Sequence, residues 1–303
     1  MADLDDLLLK TSRTFALAIP FLPEPTRREV SVAYLLFRIA DTFEDGTLWT
    51  RSKRIEALHT FAKLLKQGDE PVLKEQARAW LSPPPMEHAG YLELLEQTGD
   101  VVGELKTMSG GARAIVVRHA VRTAQGMAQV VARADEKGNL RLSSLQDLKD
   151  YCYIVAGIVG ELLTELFLHD TPGMGAESAR VLTANMVAFG EALQLVNILK
   201  DAGDDAKEGR VYLPESVARE EVLALAREDL DRAAEYIAAL QHGGAPRGYQ
   251  AFTGVSVMLA RGALKAIEER GAGAKVPRSF VTDVVAQLET ALDSGAELRA
   301  LMR

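Results

Sequence analysis

Residues 31–46 read SVAYLLFRIADTFEDG, an apolar run leading into Asp41-Thr42-Phe43-Glu44-Asp45. At about 100° per residue, Tyr34, Arg38, Asp41 and Asp45 fall within an arc of roughly 60°. A helix here therefore carries one polar stripe on a surface otherwise built from Val32, Leu35, Leu36 and Ile39. A helix apolar on most sides is a buried helix, so the stripe is expected to line an interior cavity. A second stretch repeats the pattern: VAFGEALQLVNILK runs into Asp201-Ala202-Gly203-Asp204-Asp205. There Gln194, Asn197, Asp201 and Asp205 align, with Leu193, Leu195, Val196, Ile198 and Leu199 on the other faces.

Both clusters read Asp-x-x-acid-Asp. Aspartates at i and i+4 share a helix face and weaken the helix by roughly 0.2–0.5 kcal/mol unless a cation compensates. A buried ionised carboxylate is costly unless it is paired or metal-bound. Oxygen donors without histidine or thiolate suit Mg²⁺, which typically takes one or two carboxylates and completes its shell with water and substrate phosphates. Two such clusters could hold a diphosphate. For one cluster alone the plainer reading is a solvated helix end; two, each extending a polar stripe on an apolar helix, favour the metal. An EF-hand starting at Asp201 is excluded, because Ala206 and Tyr212 stand where glycine and glutamate are needed.

Outward from these stretches, Ala, Leu, Glu, Arg and Lys dominate and helical periodicity is the main signal, which predicts an all-α protein. Helices are expected over about 26–45, 50–66, 70–80, 87–108, 112–134, 144–168, 176–204, 214–241, 248–270 and 276–301. The breaks contain Gly and Pro, as in Ser82-Pro83-Pro84-Pro85 and Gly243-Gly244, but none is long and polar enough to be a linker. A single domain over residues 1–303 is the expectation.

The chain has 303 residues, 48% hydrophobic and 26% charged, enough for a large core. Thirty-five Lys+Arg against 43 Asp+Glu give a net charge of −8, which argues against a nucleic-acid binder. The single cysteine, Cys152, rules out an internal disulfide and reads as a buried hydrophobe. His59, His88, His119, His169 and His242 read as surface or capping groups, and Arg51 to Arg54 as a solvated helix start near enough to Asp45 to attract anions. The acidic start MADLDDLLLK lacks the basic region of a signal peptide. The apolar run Tyr151–Leu168 is interrupted by Glu161 and Glu165, so no uncharged membrane span is expected. Cytoplasmic location, with at most peripheral membrane contact, follows as the expectation; the oligomeric state stays open.

Four segments together resemble the squalene/phytoene synthase family: Ser12-Arg13-Thr14-Phe15, YLLFRIADTFEDG at 34–46, YCYIVAGIVGELLTELF at 151–167 and GEALQLVNILKDAGDDAKEGRVYLP at 190–214. The resemblance implies a single helical bundle around a long apolar cavity, with the two acidic motifs on facing helices binding Mg²⁺. By motif position, Asp41, Asp45, Asp201 and Asp205 would be metal ligands, supported by Glu44 and Asp204. Ser12, Arg13, Phe15, Tyr34, Arg38, Gln194 and Asn197 would contact diphosphate or the metal's waters. Lys200 stands where the family usually has arginine, and Asp204 where it has glutamate. Tyr151 would lie near the carbocation, with Tyr212, beside Arg210, as a second candidate. Val155, Ile158 and Leu162 share the Tyr151 face, and small residues such as Gly160 allow a ligand or a chain to approach the backbone.

The implied reaction joins two farnesyl diphosphates to presqualene diphosphate and then to a C30 product. NADPH would yield squalene, proton loss dehydrosqualene, and water hydroxysqualene. DTFED and the later FTGVSVMLA look closer to squalene than to phytoene synthases, so C30 is favoured over C40. The nicotinamide would not sit on a Rossmann domain in this family, so the lack of a Gly-x-Gly-x-x-Gly fingerprint decides nothing. A terpene cyclase, or a catalytically idle isoprenoid-binding partner subunit, are the competing readings.

Overall fold

The computed structural model describes residues 3–12 and 15–302, almost all of them helical. In chain order the helices are α1 Leu4–Thr11, α2 Phe15–Ala18, α3 Thr26–Glu44, α4 Arg51–Gln67, α5 Glu70–Trp80, α6 Ala89–Glu96, α7 Thr98–Glu104, α8 Gly110–Ala132, α9 Leu145–Cys152, α10 Ile158–Asp170, α11 Ala176–Lys207, α12 Arg219–His242, α13 Arg247–Arg270, α14 Arg278–Ser294 and α15 Leu298–Leu301. Among the described residues the only strands are β1 Leu140–Arg141 and β2 Arg210–Val211, paired in parallel. The packing divides into two compact units, residues 1–20 with 24–138 and residues 21–23 with 139–303.

In the first unit α3 packs against α1, α4, α6, α7 and α8. Its C-terminal end is set by Phe43, whose ring stacks on Trp49 at 5.8 Å and meets Trp80 edge-on at 4.6 Å and Phe61 at 6.0 Å. The loop after α3 is stapled from outside: Leu48 N–H donates to the Pro85 carbonyl at 2.9 Å and Trp49 Nε1 to that of Pro83 at 2.8 Å. The basic start of α4 is used in the same way and is not merely solvated. Arg54 donates to the Glu44 carbonyl, Arg51 to that of Ala134 at 2.5 Å, and the Lys53 ammonium lies 4.3 Å from the Trp49 ring centre. The partner of Arg51 lies 83 positions away and those of Arg54 and Lys53 just ahead of α4, contacts that a run of charges in sequence does not announce.

In the second unit the long α11 packs on α10, α12 and α13. Close packing rests on two glycines. A Cβ at Gly160 would lie 1.9 Å from the Met186 carbonyl oxygen, and one at Gly190 would lie 2.0 Å from that of Ala156, so α10 and α11 meet backbone to backbone. Tyr153–Gly157 form a π-helical turn between α9 and α10. Farther along, Phe167 stacks on Tyr249 at 4.2 Å and Phe189 on Tyr236 at 5.0 Å. By length and composition α9 through α10 and α11 could each cross a membrane, but 61% and 44% of their apolar windows are buried within the protein.

Several boundaries differ from expectation. The helix expected over 87–108 breaks at Gln97, where Thr98 Oγ1 donates to the Leu95 carbonyl and Gly99 abuts Lys74 of α5. The helix expected over 144–168 contains the π turn, and the one over 276–301 ends at Ser294, where Gly295 takes φ +67°. Helix α12 begins at Arg219, after the turn that follows Pro214. Helices α1 and α2 and the strand pair are too short for periodicity to register.

Candidate active site

Between Val30 and Glu44, α3 is buried except at Tyr34, Arg38 and Asp41, which are half-buried, as is Asp45 that caps it. The polar stripe is thus the one open face of an otherwise enclosed helix. Arg38 donates to Asp41 Oδ2 at 2.7 Å, and Thr42 ties its hydroxyl to the Arg38 carbonyl at 2.7 Å. Burial pushes the Asp41 carboxyl up to about 6, with Arg38 opposing the shift and Asp45 adding to it. Burial works against the Arg38 charge, yet Asp41, Tyr34, Tyr91 and Asp45 together hold its pKa above the ordinary value. Tyr34, raised to about 12 by burial, stays a neutral phenol whose hydroxyl donates to the Thr11 carbonyl at 3.1 Å. Its ring lies 5.4 Å from that of Phe15, and Ser12 Oγ accepts from the Phe15 N–H at 3.0 Å. Ser12, Phe15, Tyr34, Arg38, Asp41 and Asp45 therefore belong to one unit and, through these contacts, largely to one neighbourhood; Arg13 lies outside the described residues. Glu44 is 6% exposed, which sets it on the buried side of α3 and apart from the stripe.

On α11 of the other unit, Gln194, Asp201 and Asp205 are half-buried and Asn197 is exposed. Lys200 Nζ donates to Asn197 Oδ1 at 3.3 Å and lies 3.2 Å from Asp201 Oδ2. Asp204 points outward, 78% exposed and paired with Lys207 at 2.8 Å. Where α11 ends, β2 pairs with β1: Leu140 N–H donates to the Gly209 carbonyl, and Gly209 takes φ +80° with Asn139 filling the place of a Cβ. The pairing seats Arg210 4.0 Å from Asp205 Oδ1 and against Glu208, and it lays Tyr212 on Tyr151 at 4.6 Å and 21° between planes. The two tyrosines, 5% and 7% exposed, are brought together by a two-residue ladder that period-counting does not detect. Val155 is half-buried on the π turn, whereas the side-chain face of Gly160 is filled by Met186, so helix packing alone accounts for that glycine.

Each stripe offers a pair of carboxylates; among the described residues no group of three or more His, Cys, Asp or Glu converges as a ready-made metal site. A pair of hard oxygens fits a Mg²⁺ that keeps open positions for phosphate.

Other residues singled out from sequence fall as follows. Cys152 is buried, and burial pushes its thiol pKa up. His119 is fully buried, with Nδ1 2.9 Å from the Ile115 carbonyl, instead of being a surface or capping group; His88 does cap α6, accepting from the Tyr91 N–H at 3.4 Å. Sequence reasoning missed Tyr91, whose ring lies 4.6 Å from the Arg38 guanidinium carbon.

A family model described as Squalene/phytoene synthase matches residues 8–222. The squalene synthase of Schizosaccharomyces pombe is 28% identical over 214 residues, covering 70% of this chain and 43% of that protein; the Homo sapiens squalene synthase is 30% identical over 215 residues, 69% and 45%. The matched stretch thus spans less than half the length of these relatives. Among solved structures, TcSQS with the ligand E5700 superposes with a TM-score of 0.77 at 19% identity, covering 99% of this chain and 98% of that one. Squalene synthase HpnC from Alicyclobacillus acidocaldarius gives 0.54 at 17%, covering 89% and 94%. Both share the all-α fold. With its acidic stripes, its glycine-packed central helices and a family match running over more than two-thirds of its length, this chain belongs to the squalene/phytoene synthase family.

Proposed function

We propose that the chain is a prenyltransferase of the farnesyl-diphosphate farnesyltransferase type, joining two farnesyl diphosphates through presqualene diphosphate to squalene, with Mg²⁺ and NADPH as cofactors. The observation that carries this reading is the single open face of α3, where a half-buried arginine and a half-buried aspartate pair sit on an otherwise enclosed apolar helix. The names of the relatives support squalene as the product.

Mg²⁺ held by Asp41 with Asp45 and by Asp201 with Asp205 would supply Lewis-acid charge to the departing diphosphate. Arg38 on the α3 stripe, and Lys200 and Arg210 beside the α11 stripe, would add fixed positive charge where a diphosphate oxygen meets either stripe, which lowers the barrier to allylic C–O cleavage most if the charge is already in place. Tyr34, Gln194 and Asn197 offer hydrogen bonds to phosphate, and Ser12, Arg13 and Phe15 extend that contact. Glu44 and Asp204 are assigned supporting roles, Glu44 from the buried side and Asp204 from solvent. The stacked Tyr151 and Tyr212 present electron-rich faces that stabilise a carbocation, and the Tyr151 hydroxyl can accept a proton through a neighbour. Val155 on the following turn borders that region in this reading, and Gly160 of α10 contributes by letting α11 pack closely behind it. The proposal treats residues 1–303 as one catalytic domain, cytoplasmic, with peripheral membrane contact for release of the hydrocarbon.

The test is incubation with labelled C15 and C20 diphosphates, with Mg²⁺ or with EDTA and with or without NADPH, followed by product chromatography. Mg²⁺-dependent presqualene diphosphate from the C15 substrate, and squalene when NADPH is added, is the expected result. Phytoene from C20, or dehydrosqualene or hydroxysqualene with NADPH present, would reassign the product. Absence of diphosphate release would leave an isoprenoid-binding partner subunit.

A further inference from the structure

Arg38 is held on more than one side. One terminal nitrogen pairs with Asp41 at 2.7 Å, the guanidinium carbon lies 4.6 Å from the centre of the Tyr91 ring, and Nε is buried with no hydrogen-bond partner. Tyr91 is itself positioned from several directions. Its ring stacks on His88 at 4.1 Å, and His88 caps the helix whose first turn holds Tyr91. The neighbouring Gly90 lies so close to α1 that a Cβ would stand 2.8 Å from the Lys10 carbonyl oxygen, and Lys10 pairs with Glu93 at 2.8 Å. Helix α6 is thereby strapped to α1, and Tyr91 is fixed over α3.

A guanidinium is planar and stacks on aromatic faces, while its long side chain has many rotamers to lose. Without the ring, Arg38 is free to turn both ends of its fork onto Asp41, neutralising that carboxylate and using up the donor that now has no partner. With the ring in place, one terminal N–H serves Asp41 and Nε–H is kept for an oxyanion. We propose that Tyr91 is a positioning residue: its ring keeps the Arg38 guanidinium in this one-armed pairing, ready for a diphosphate oxygen, and it acts through Arg38 without touching the reacting atoms. The inference rests on the diphosphate chemistry proposed above.

Calorimetry with Mg²⁺ and inorganic pyrophosphate tests it on the full chain without turnover. Tyr91→Leu should weaken binding by about tenfold at unchanged stoichiometry, Tyr91→Phe should bind as the parent does, and Tyr91→Leu added to Arg38→Gln should cost nothing further. A merely structural role would instead lower the stoichiometry and leave the affinity of the folded fraction intact. Unchanged affinity in Tyr91→Leu, or full additivity with Arg38→Gln, overturns the proposal. If the leucine variant does not fold, Tyr91→Met takes its place. Failure of the parent protein to bind Mg²⁺ and pyrophosphate would instead count against the functional reading. The arginine Nε–H resonance of Arg38 then still reads the stacking in unliganded protein, with a ring-shifted, slowly exchanging signal expected in the parent and in Tyr91→Phe and lost in Tyr91→Leu. The same signal in all three would overturn the positioning role by itself.

Discussion

The two Asp-x-x-acid-Asp clusters have the same spacing and opposite settings. At the end of α3 the residues between the aspartates are Thr42, Phe43 and Glu44, all buried, and Phe43 is the hub of four aromatic rings. At the end of α11 they are Ala202, Gly203 and Asp204; Gly203 faces open space and Asp204 is 78% exposed. Asp41 is accordingly buried enough for its pKa to climb, whereas Asp201 is 47% exposed and rests beside Lys200. One cluster is therefore built into a core before any ligand arrives, and the other is a helix end whose order depends on few tertiary contacts. What lies between the acids, and not the acids themselves, makes the difference.

The sharpest way to break that contrast is to remove its anchor. Phe43→Ala should destabilise the protein by about 3–5 kcal/mol, because a large buried aromatic leaves a cavity, and should take activity with it; a denaturation midpoint near that of the parent protein would deny the anchoring. Next, Asp41→Asn and Asp201→Asn should each slow presqualene diphosphate formation by roughly 10²-fold or more despite their different burial, since each removes a charged ligand from the metal proposed to meet the leaving group. Near-parental rates at saturating Mg²⁺ in both would sink the metal assignment.

A third test concerns the buried acids in the body of the second unit. Burial raises Asp229 to about 6 and Glu191 to about 7; Asp229 adds to the Glu191 shift, and Arg232 and Lys149 oppose both. Because the folded pKa values lie above the unfolded ones, this contribution to stability is complete below about pH 4 and is lost as pH rises through 6 to 7. Asp229→Asn should therefore gain about 2–3 kcal/mol at pH 8 and almost nothing at pH 4, measured by urea unfolding at both. An equal effect at the two pH values would refute the burial account. The smallest effect is at the loose helix end: Gly203→Ala should stabilise by about 0.5–1 kcal/mol, since the position is helical and nothing stands where the methyl group would go. A destabilised variant would mean that the α11 cluster is as tightly seated as its counterpart.

Period-3.6 patterning was enough to define the all-α class, the long helices and the two polar stripes, because burial of an apolar helix leaves a signature on every turn. Tyr151 and Tyr212 were marked by the family resemblance and not by periodicity, and neither joined them. Their stack depends on a two-residue strand pair whose partners are some 70 positions apart in the chain. The glycine crossing of α10 on α11 was half legible: small residues announced a close approach, and only the packing showed that a helix, Met186 on it, fills the space at Gly160. The break at Gln97, the π turn and the buried His119 were equally invisible, since packing and not local pattern decides them, and of the α4 staples Arg51 reaches as far as Ala134.

Local composition and periodicity, then, decided which residues form helices and which side of each helix is polar, because those properties repeat within a few turns of a single segment. The tertiary structure alone decided which of two identical-looking acidic motifs is set into a core, and that Tyr91 lies over Arg38. Burial, stacking and desolvation are properties of the neighbours a side chain acquires, and no window of sequence around Asp41 or Tyr91 contains them.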